Sequence, residues 1–307
     1  MTTQNDKTKL NLFGTVLTYA APSSNYHGES ELNRTVIQRI TRDSLEYGVV
    51  SPEAMRNALR EILAGYGLSM NRRRLEQEDQ LAVEFKSFPD AAKFADDFLF
   101  GFLVADQDAV KKNKGKPAKR DSVLRMNLAV ALNPYRFNAT FHQSPMNAGD
   151  SPWKNSSTSA LLHREVSDTA FQYPFALAMQ DCSGSRDQKE WTAKLLKAIG
   201  ELTNVAGGHA RSYFEFAPRS IIMRLSPQLV AGYQTYAFTA DGKFAEMKRI
   251  TKEAKDLPPK EFWFGGEVVR QLDKETRDNL AAWGAHLNEN PQALLAEVSE
   301  EALGVKP

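Results

Sequence analysis

Hydrophobic and polar positions along this chain switch between strand-like and helix-like spacing. Residues 10–20 are rich in β-formers and end in a turn cluster at 21–25, which predicts a strand and then a loop. Apolar residues that follow recur at the spacing of one helix face: Met55, Leu59, Ile62 and Leu63. This pattern predicts a helix from residue 52 that closes at Gly65 and Gly67.

The rest of the chain continues the mixture of elements. Helical spacing predicts helices at about 89–105 and 187–202 and a largely helical remainder from 251. Extended patterns predict strands at 125–133, 161–179, 211–216 and 220–225, with Met126, Leu128, Val130 and Leu132 on one face of the first. Pro174 indicates an edge position for its strand, because proline cannot donate to a sheet ladder. The alternation indicates an α+β fold built on one antiparallel sheet.

Composition places the chain among ordinary globular proteins. Its 307 residues are 42% hydrophobic and 25% charged, and suffice for one elaborated domain or two. The single cysteine, Cys182, excludes disulfide frameworks and Cys-rich zinc sites. No apolar run approaches the roughly 20 residues that span a bilayer. The sequence predicts a soluble cytoplasmic protein without a cofactor.

The net charge of +1 hides an uneven distribution. Residues 110–125 hold seven basic side chains against one acid, while residues 287–303 hold four glutamates and no base. The polar region 133–159 also carries large apolar side chains, namely Tyr135, Phe137, Phe141, Met146 and Trp153. Cations beside exposed aromatic groups are typical of backbone-directed binding to single-stranded nucleic acid. The basic run 111–119 is predicted to be a mobile loop.

The predicted helix after Ser51 offers a candidate contact surface. Ser51 is a favourable N-cap and Glu53 lies in the first turn, where the helix dipole favours an anion. Arg56 and Arg60 form an i, i+4 pair displaced from the apolar stripe. They could be a solvated edge balanced by Glu53 and Glu61, or a pair that meets phosphate.

Signals for chemistry are weaker elsewhere. The run Gly-Gly-His-Ala-Arg at 207–211 could cradle a phosphate or simply cap a helix and turn. His163, Arg164, Glu165 and Asp168 could form a metal or acid–base cluster, but Asp168 falls on the opposite face from His163 and Glu165, so a solvated hairpin is expected. The five histidines lack zinc-ligand spacing, and no nucleophile elbow occurs. We therefore expect neither catalytic residues nor a metal site.

Several motifs together carry a likeness to a known family. They lie at 11–15, 21–26, 28–30, 33–35, 49–60, 119–122, 171–175 and 207–213, the longest being Val-Val-Ser-Pro-Glu-Ala-Met-Arg-Asn-Ala-Leu-Arg at 49–60. On these residues the chain resembles the DevR/Cst-two branch of the CRISPR-associated Cas-seven family. Members of this family are the backbone subunits of Cascade.

The resemblance implies an RRM-like (ferredoxin-like) antiparallel-sheet palm with a finger insertion and a β-hairpin thumb. The implied palm comprises 1–67, 122–134 and 171–250, the fingers 68–121, the thumb 135–170, and a helical C-terminal segment 251–307. Such a subunit polymerises along a guide RNA, and its thumb interrupts the guide at intervals.

The resemblance also implies which residues contact RNA. Those on and before the first helix are Asn33, Arg34, Ser51, Arg56, Asn57 and Arg60. Those in later loops are Lys119, Arg120, Gly207, Gly208, His209 and Arg211. Candidates for the side chain that wedges the guide are Phe141, Met146 and Trp153.

The function implied is a non-catalytic, crRNA-binding subunit of a type I, I-B-like Cascade in antiviral defence. Its implied partners are the guide RNA, the target DNA strand, further copies of itself, and the guide-end cap, guide-processing and large subunits. The same subunit could serve RNA-guided transposition. The alternative from another class is a metal-dependent endoribonuclease of the RRM-like class that uses Asp121, Glu165 or Asp168.

Overall fold

The computed structural model describes residues 10–24, 26–31, 34–77, 80–143, 161–205 and 215–307. The strands are β1 Asn11–Thr18, β2 Ala21–Ser23, β3 Tyr26–Glu31, β4 Arg34–Ile37, β5 Arg39–Arg42, β6 Leu45–Val50, β7 Arg72–Gln77, β8 Gln80–Phe85, β9 Phe102–Leu103, β10 Lys119–Arg120, β11 Arg125–Met126, β12 Ala129–Ala131, β13 Ala139–Gln143, β14 Leu161–Glu165, β15 Ser167–Thr169, β16 Phe171–Ala178, β17 Pro218–Ser226, β18 Phe262–Gly266 and β19 His286–Asn288. The helices are α1 Pro52–Gly65, α2 Ala95–Phe100, α3 Gln107–Lys112, α4 Met179–Cys182, α5 Arg186–Gly200, α6 Glu267–Arg270, α7 Lys274–Ala282 and α8 Pro291–Leu303.

A central sheet organises the molecule, in the order β19-β18-β17-β1-β16-β12-β6-β5, with β11 also paired to β16. All of its pairs are antiparallel except β18 with β19. Leu12 and Val16 of β1 join the cluster that contains α1, α5 and α8, whereas Leu17 joins a second cluster. Because successive residues of a strand face opposite sides, the sheet has a core on each face. The predicted α+β class with a central, mostly antiparallel sheet is confirmed.

Helix α1 forms as its sequence predicts. The Ser51 side chain accepts a hydrogen bond from the Ala54 N–H at 3.2 Å, and Pro52 occupies the first position. Met55, Leu59 and Leu63 are fully buried against the sheet and α5. The cap fixes where the helix begins, and the apolar stripe fixes which face turns outward.

The edge position predicted from Pro174 is wrong, because β16 lies inside the sheet between β1 and the β11–β12 segment. The Pro174 carbonyl accepts a hydrogen bond from the Asn127 N–H at 3.4 Å, so its ring nitrogen faces that same side. Residues 127 and 128 interrupt the neighbouring strand there. The missing N–H of proline therefore meets a break in the ladder. The break also divides the predicted strand 125–133 into two short strands, and Ala129, Val130 and Ala131 are all buried.

The predicted helix at 89–105 is much shorter than expected. Helix α2 covers only Ala95–Phe100, and Gly101 ends it with a φ of 66°. A side chain at Gly101 would collide with the Arg120 carbonyl, so only glycine fits this turn. The basic run after it is partly ordered, because α3 extends through Lys112 and is capped by Asp106. The expectation of a loop from residue 111 is thus wrong for its first residues.

The C-terminal remainder is not purely helical. Strand β18 pairs with β17, with Ile222 opposite Phe264, and β19 extends the sheet by one more strand. The run Phe-Trp-Phe-Gly-Gly at 262–266 is buried, and α6 and α8 pack against it. The segment from 251 therefore completes the central sheet.

Strands between residues 21 and 50 were not expected from the sequence. Two of them, β3 and β4, join β13 and β14 in a four-stranded sheet of order β13-β14-β4-β3. Strands β5 and β6 form a hairpin at the end of the central sheet that leads directly into α1, and β7 with β8 forms a separate hairpin. Within the described ranges, no helix is long and apolar enough to cross a membrane.

Candidate nucleic-acid interface

Arg56 and Arg60 lie on the flank of α1 that turns away from the apolar stripe, but they are half-buried. Arg56 Nη2 donates to the Leu124 carbonyl at 3.1 Å. Arg60 Nη1 donates to Asn57 Oδ1 at 2.8 Å. Both arginines are therefore held by the protein and are more buried than a fully solvated helix edge.

Aromatic rings of α2 support the guanidinium groups. Arg60 Cζ lies 4.5 Å from the centre of the Phe100 ring. Arg120 Cζ lies 4.9 Å from the centre of the Phe98 ring, and Arg120 Nη1 donates to the Phe98 carbonyl at 2.5 Å. Cation–π contact holds an arginine in place without neutralising it. The short helix α2 thus positions arginines from two distant parts of the chain.

Burial acts on the charge of the α1 pair. It lowers the pKa of Arg56, and it lowers the pKa of Arg60 to about 10, with the neighbouring Arg72 adding to the effect. Arg60 still carries its charge at neutral pH. The Nε atoms of Arg56 and Arg60 are buried and have no hydrogen-bond partner among the residues that the structure describes. Such atoms are costly unless an acceptor reaches them.

A cleft of about 220 Å³ opens beside Arg60. Its lining residues are Asn57, Arg60, Glu61, Ala64, Met70, Arg72 and Arg73. Arg73 is engaged with Glu84 across the β7–β8 hairpin, whereas no ion pair of Arg60 or Arg72 occurs in the described part of the chain. Guanidinium groups in such a cleft suit a planar or tetrahedral oxyanion such as a phosphodiester.

The remaining predicted contacts within the described residues are dispersed. Lys119 is exposed on β10, whereas Arg120 turns inward onto α2. The Arg34 backbone lies on β4 opposite His163 of β14. Phe141, which is 57% exposed, packs edge-on against the His163 ring at a centroid distance of 5.0 Å.

Several predicted residues lie outside the described residues. They are Asn33, Gly207, Gly208, His209, Arg211, Met146 and Trp153. The side chain of Arg34 is also outside the description. Their predicted roles stay predictions.

Carboxylates of the alternative endoribonuclease do not form a cluster. Glu165 is buried and accepts a hydrogen bond from the Ile37 N–H at 3.0 Å, so it ties two strands together. The expectation of a solvated position is therefore wrong for Glu165. Asp121 and Asp168 are exposed. Among the described residues there is no group of three or more His, Cys, Asp or Glu side chains with the geometry of a metal site.

The sequence alone did not identify the partners of Arg60. Phe100 belongs to an apolar run that reads only as core, and its contact with Arg60 bridges 40 residues of sequence. Arg72 belongs to a run of three arginines, Arg72 to Arg74, and nothing local marks it as the one beside α1. The run of three arginines was the sequence signal that could have pointed to Arg72.

Comparison with solved structures finds chains with the same fold. The chain superposes on a chain of a "CRISPR RNA-guided surveillance complex, pre-nicking" with a TM-score of 0.62, at 12% identity, covering 95% of this chain and 100% of that one. It superposes on a chain of another "CRISPR RNA-guided surveillance complex" with a TM-score of 0.55, at 15% identity and the same coverage. At these identities the likeness establishes the fold.

Sequence comparison leads to a particular relative. The chain is 28% identical over 303 residues to the CRISPR-associated protein Cas7/Cst2/DevR of Myxococcus xanthus (strain DK1622), covering 91% of this chain and 93% of that protein. No protein-family model matches the chain. The resemblance to the Cas-seven family, DevR branch, that the motifs indicated is confirmed.

Proposed function

We propose that this chain is the crRNA-binding backbone subunit of a type I CRISPR Cascade complex. The observation that carries the proposal is the arginine pair of α1, which the protein holds in place and leaves cationic, with Arg60 lining an open cleft. The likeness to Cas7/Cst2/DevR over most of both chains supports the same function.

Phosphate is the chemical group that this arrangement suits best. A guanidinium binds phosphate oxygens through two parallel N–H donors, and the phosphates of a single strand recur with every nucleotide. Contacts of this kind carry no sequence information. In an RNA-guided complex base pairing reads the target, so a subunit that holds only the backbone leaves the guide bases available.

The finer architecture belongs to the same proposal. In it the central sheet with α1 and α5 is an RRM-like palm, residues 68–121 are fingers, and the β13–β14 hairpin is part of a thumb. Exposed Phe141 on this hairpin is a candidate wedge between nucleotides. Further copies of the chain extend along the guide, and the complementary target DNA strand and other Cascade subunits complete the assembly.

We also infer that the subunit is a non-catalytic scaffold. Its proposed work consists of holding RNA, for which fixed cations suffice. The carboxylates that the alternative endoribonuclease would use lie at separate places in the fold, and Glu165 already accepts a hydrogen bond from a backbone N–H. Nothing in the interface at α1 requires a general acid or base.

Binding of a labelled guide RNA to the full chain tests the proposal. The double charge reversal R56E/R60E is compared with K252E/K274E, which makes the same charge change at exposed lysines that belong neither to α1 nor to the cleft beside it. We expect the first variant to lose at least tenfold in affinity and the second to bind like wild type. Equal affinities of all three proteins would refute the proposal. Magnesium-dependent cleavage of the RNA by wild type would instead support the endoribonuclease.

A further inference from the structure

The root of the β7–β8 hairpin is held by one buried asparagine. Asn71 Oδ1 accepts from the Ser87 N–H at 3.0 Å, and its Nδ2 donates to the Ser87 carbonyl at 3.2 Å. The Asn71 carbonyl accepts from the Lys86 N–H at 2.8 Å. Asn71 is fully buried, so the two ends of the hairpin are joined to each other inside the protein.

Two buried carboxylates of α2 hold the same root from the other side. Asp96 accepts the N–H groups of Asn71 and Arg72, at 2.8 Å and 2.9 Å. Asp97 Oδ2 accepts from Asn71 Nδ2 at 2.8 Å and from the Asp90 N–H at 2.9 Å. Each carboxylate is only 1% exposed. These carboxylates therefore accept hydrogen bonds from backbone and amide N–H groups, and in this way they fix the main chain of Arg72.

The fixed main chain brings the Arg72 side chain to Arg60. Both line the cleft beside α1, and Arg72 contributes to the lowered pKa of Arg60. Arg72 Cζ lies 5.2 Å from the centre of the Phe85 ring, which supports it as Phe100 supports Arg60. Within the described residues, neither Asp96 nor Asp97 forms an ion pair with these guanidinium groups.

Two guanidinium groups held together repel each other, and the charges of Asp96 and Asp97 offset only part of that repulsion. The fold nevertheless fixes the Arg72 main chain through its N–H bond to Asp96, and fixes the preceding Asn71 through two buried bonds to Asp96 and Asp97. An anion between them removes the repulsion and supplies acceptors for their free donors. We propose that Arg72 is a further phosphate-binding residue, that it shares one phosphodiester with Arg60, and that Asp96 and Asp97 are its positioning residues. This inference rests on the proposed function and extends its site from α1 to the β7–β8 hairpin.

The first experiment measures affinity for a labelled single-stranded guide RNA as a function of salt. The proteins are wild type, R60Q, R72Q, the double variant R60Q/R72Q, and K274Q as a charge-matched control. We expect R60Q and R72Q each to weaken binding about tenfold or more. Because they share one phosphate, the double variant should reduce the slope of log K against log salt by about 0.7 in total. K274Q should do neither.

Sharing of one phosphate has its own signature. The double variant R60Q/R72Q should lose less than the product of the two single losses, because the second substitution removes a contact that the first has already weakened. An R72Q protein that binds with wild-type affinity and slope would overturn the inference. Fully multiplicative losses would overturn the sharing of one phosphate.

The positioning role is tested in two backgrounds. D96N should weaken RNA binding in the wild-type protein and have no further effect in R72Q, because it acts through Arg72. Equal losses in both backgrounds would show a general structural defect and overturn the positioning role. If thermal melting shows that D96N does not fold, D97N takes its place, since its amide oxygen can still accept from Asn71 and Asp90.

The outcomes separate this inference from the proposed function. If R56Q and R60Q weaken RNA binding and R72Q does not, the extension to the hairpin is wrong and the α1 site stands. If wild type binds RNA no better than R56Q/R60Q does, the proposed function is wrong and the extension falls with it.

Discussion

Arg60 and Phe100 are 40 residues apart in sequence, yet the Arg60 guanidinium lies 4.5 Å from the centre of the Phe100 ring. Phe100 is buried at the end of α2, so the ring forms a rigid floor under the cation. The contact holds the arginine while its Nε faces no acceptor among the described residues. Through it, the fold of α2 controls where the charge of α1 is presented.

Replacing Phe100 by Leu tests this support. The change keeps most of the apolar volume, so we expect a loss in the free energy of unfolding below about 1.5 kcal/mol. Loss of the cation–π contact, worth about 0.5–2 kcal/mol, should weaken RNA binding to a similar extent. Denaturant unfolding and RNA titration measure the two effects. Undiminished RNA affinity in F100L would show that the ring does not position Arg60.

Ser51 has two predicted roles that substitutions can separate. S51A removes the N-cap and should lower the free energy of unfolding by about 1 kcal/mol, as measured in denaturant. S51D keeps an N-cap acceptor and should retain that stability. Its added negative charge should weaken RNA binding if Ser51 lies beside a phosphate. RNA binding by S51D that matches wild type would contradict that contact.

Asp97 should make stability depend on pH. Burial raises the pKa of its carboxyl above the ordinary 3.8. The folded protein then holds this proton more tightly than the unfolded chain does. The contribution of Asp97 to the free energy of unfolding therefore falls as the pH rises from the pKa of the unfolded chain through that of the folded protein. D97N lacks this titration. Its stability relative to wild type should therefore increase from about pH 3 to about pH 7.

Denaturant unfolding across this pH range measures the difference between D97N and wild type. D278N, which removes an exposed carboxyl of α7, serves as the control. A difference between D97N and wild type that stays constant with pH would contradict the raised pKa.

Phe141 should matter for RNA and little for folding. It is 57% exposed, so F141A should change the free energy of unfolding by less than about 0.5 kcal/mol. If a base stacks on it, F141A should weaken RNA binding by about 1–3 kcal/mol. L229A, at a residue that is 84% exposed, provides the matched control. RNA affinities of F141A and L229A that both match wild type would exclude Phe141 as a stacking residue.

Local signals made part of this fold predictable from sequence. The cap at Ser51 and the stripe through Met55, Leu59 and Leu63 defined α1, and the helix predicted at 187–202 corresponds to α5. Each of these patterns lies within a few turns of one helix, so neighbouring residues alone are enough to recognise it. The motifs carried the family resemblance for the same reason, because they are contiguous.

Non-local contacts account for what the sequence did not predict. Pro174 was assigned to an edge because the rule considers one strand, whereas the break at Asn127 that accommodates it lies in a neighbouring strand. The strand at 262–266 was missed because its pairing with β17 is not visible locally. Asp96 and Arg72 likewise meet only in the folded chain.

The central claim is that RNA lies along the arginine flank of α1. Photo-crosslinking of the full chain to a guide RNA containing 4-thiouridine, followed by mass spectrometric mapping of the crosslinked peptides, tests it most directly. We expect crosslinks in the peptides that contain residues 52–65 and the hairpin root at 70–73, and their loss in R56E/R60E. Crosslinks confined to α7 and α8, with none on α1, would contradict the claim.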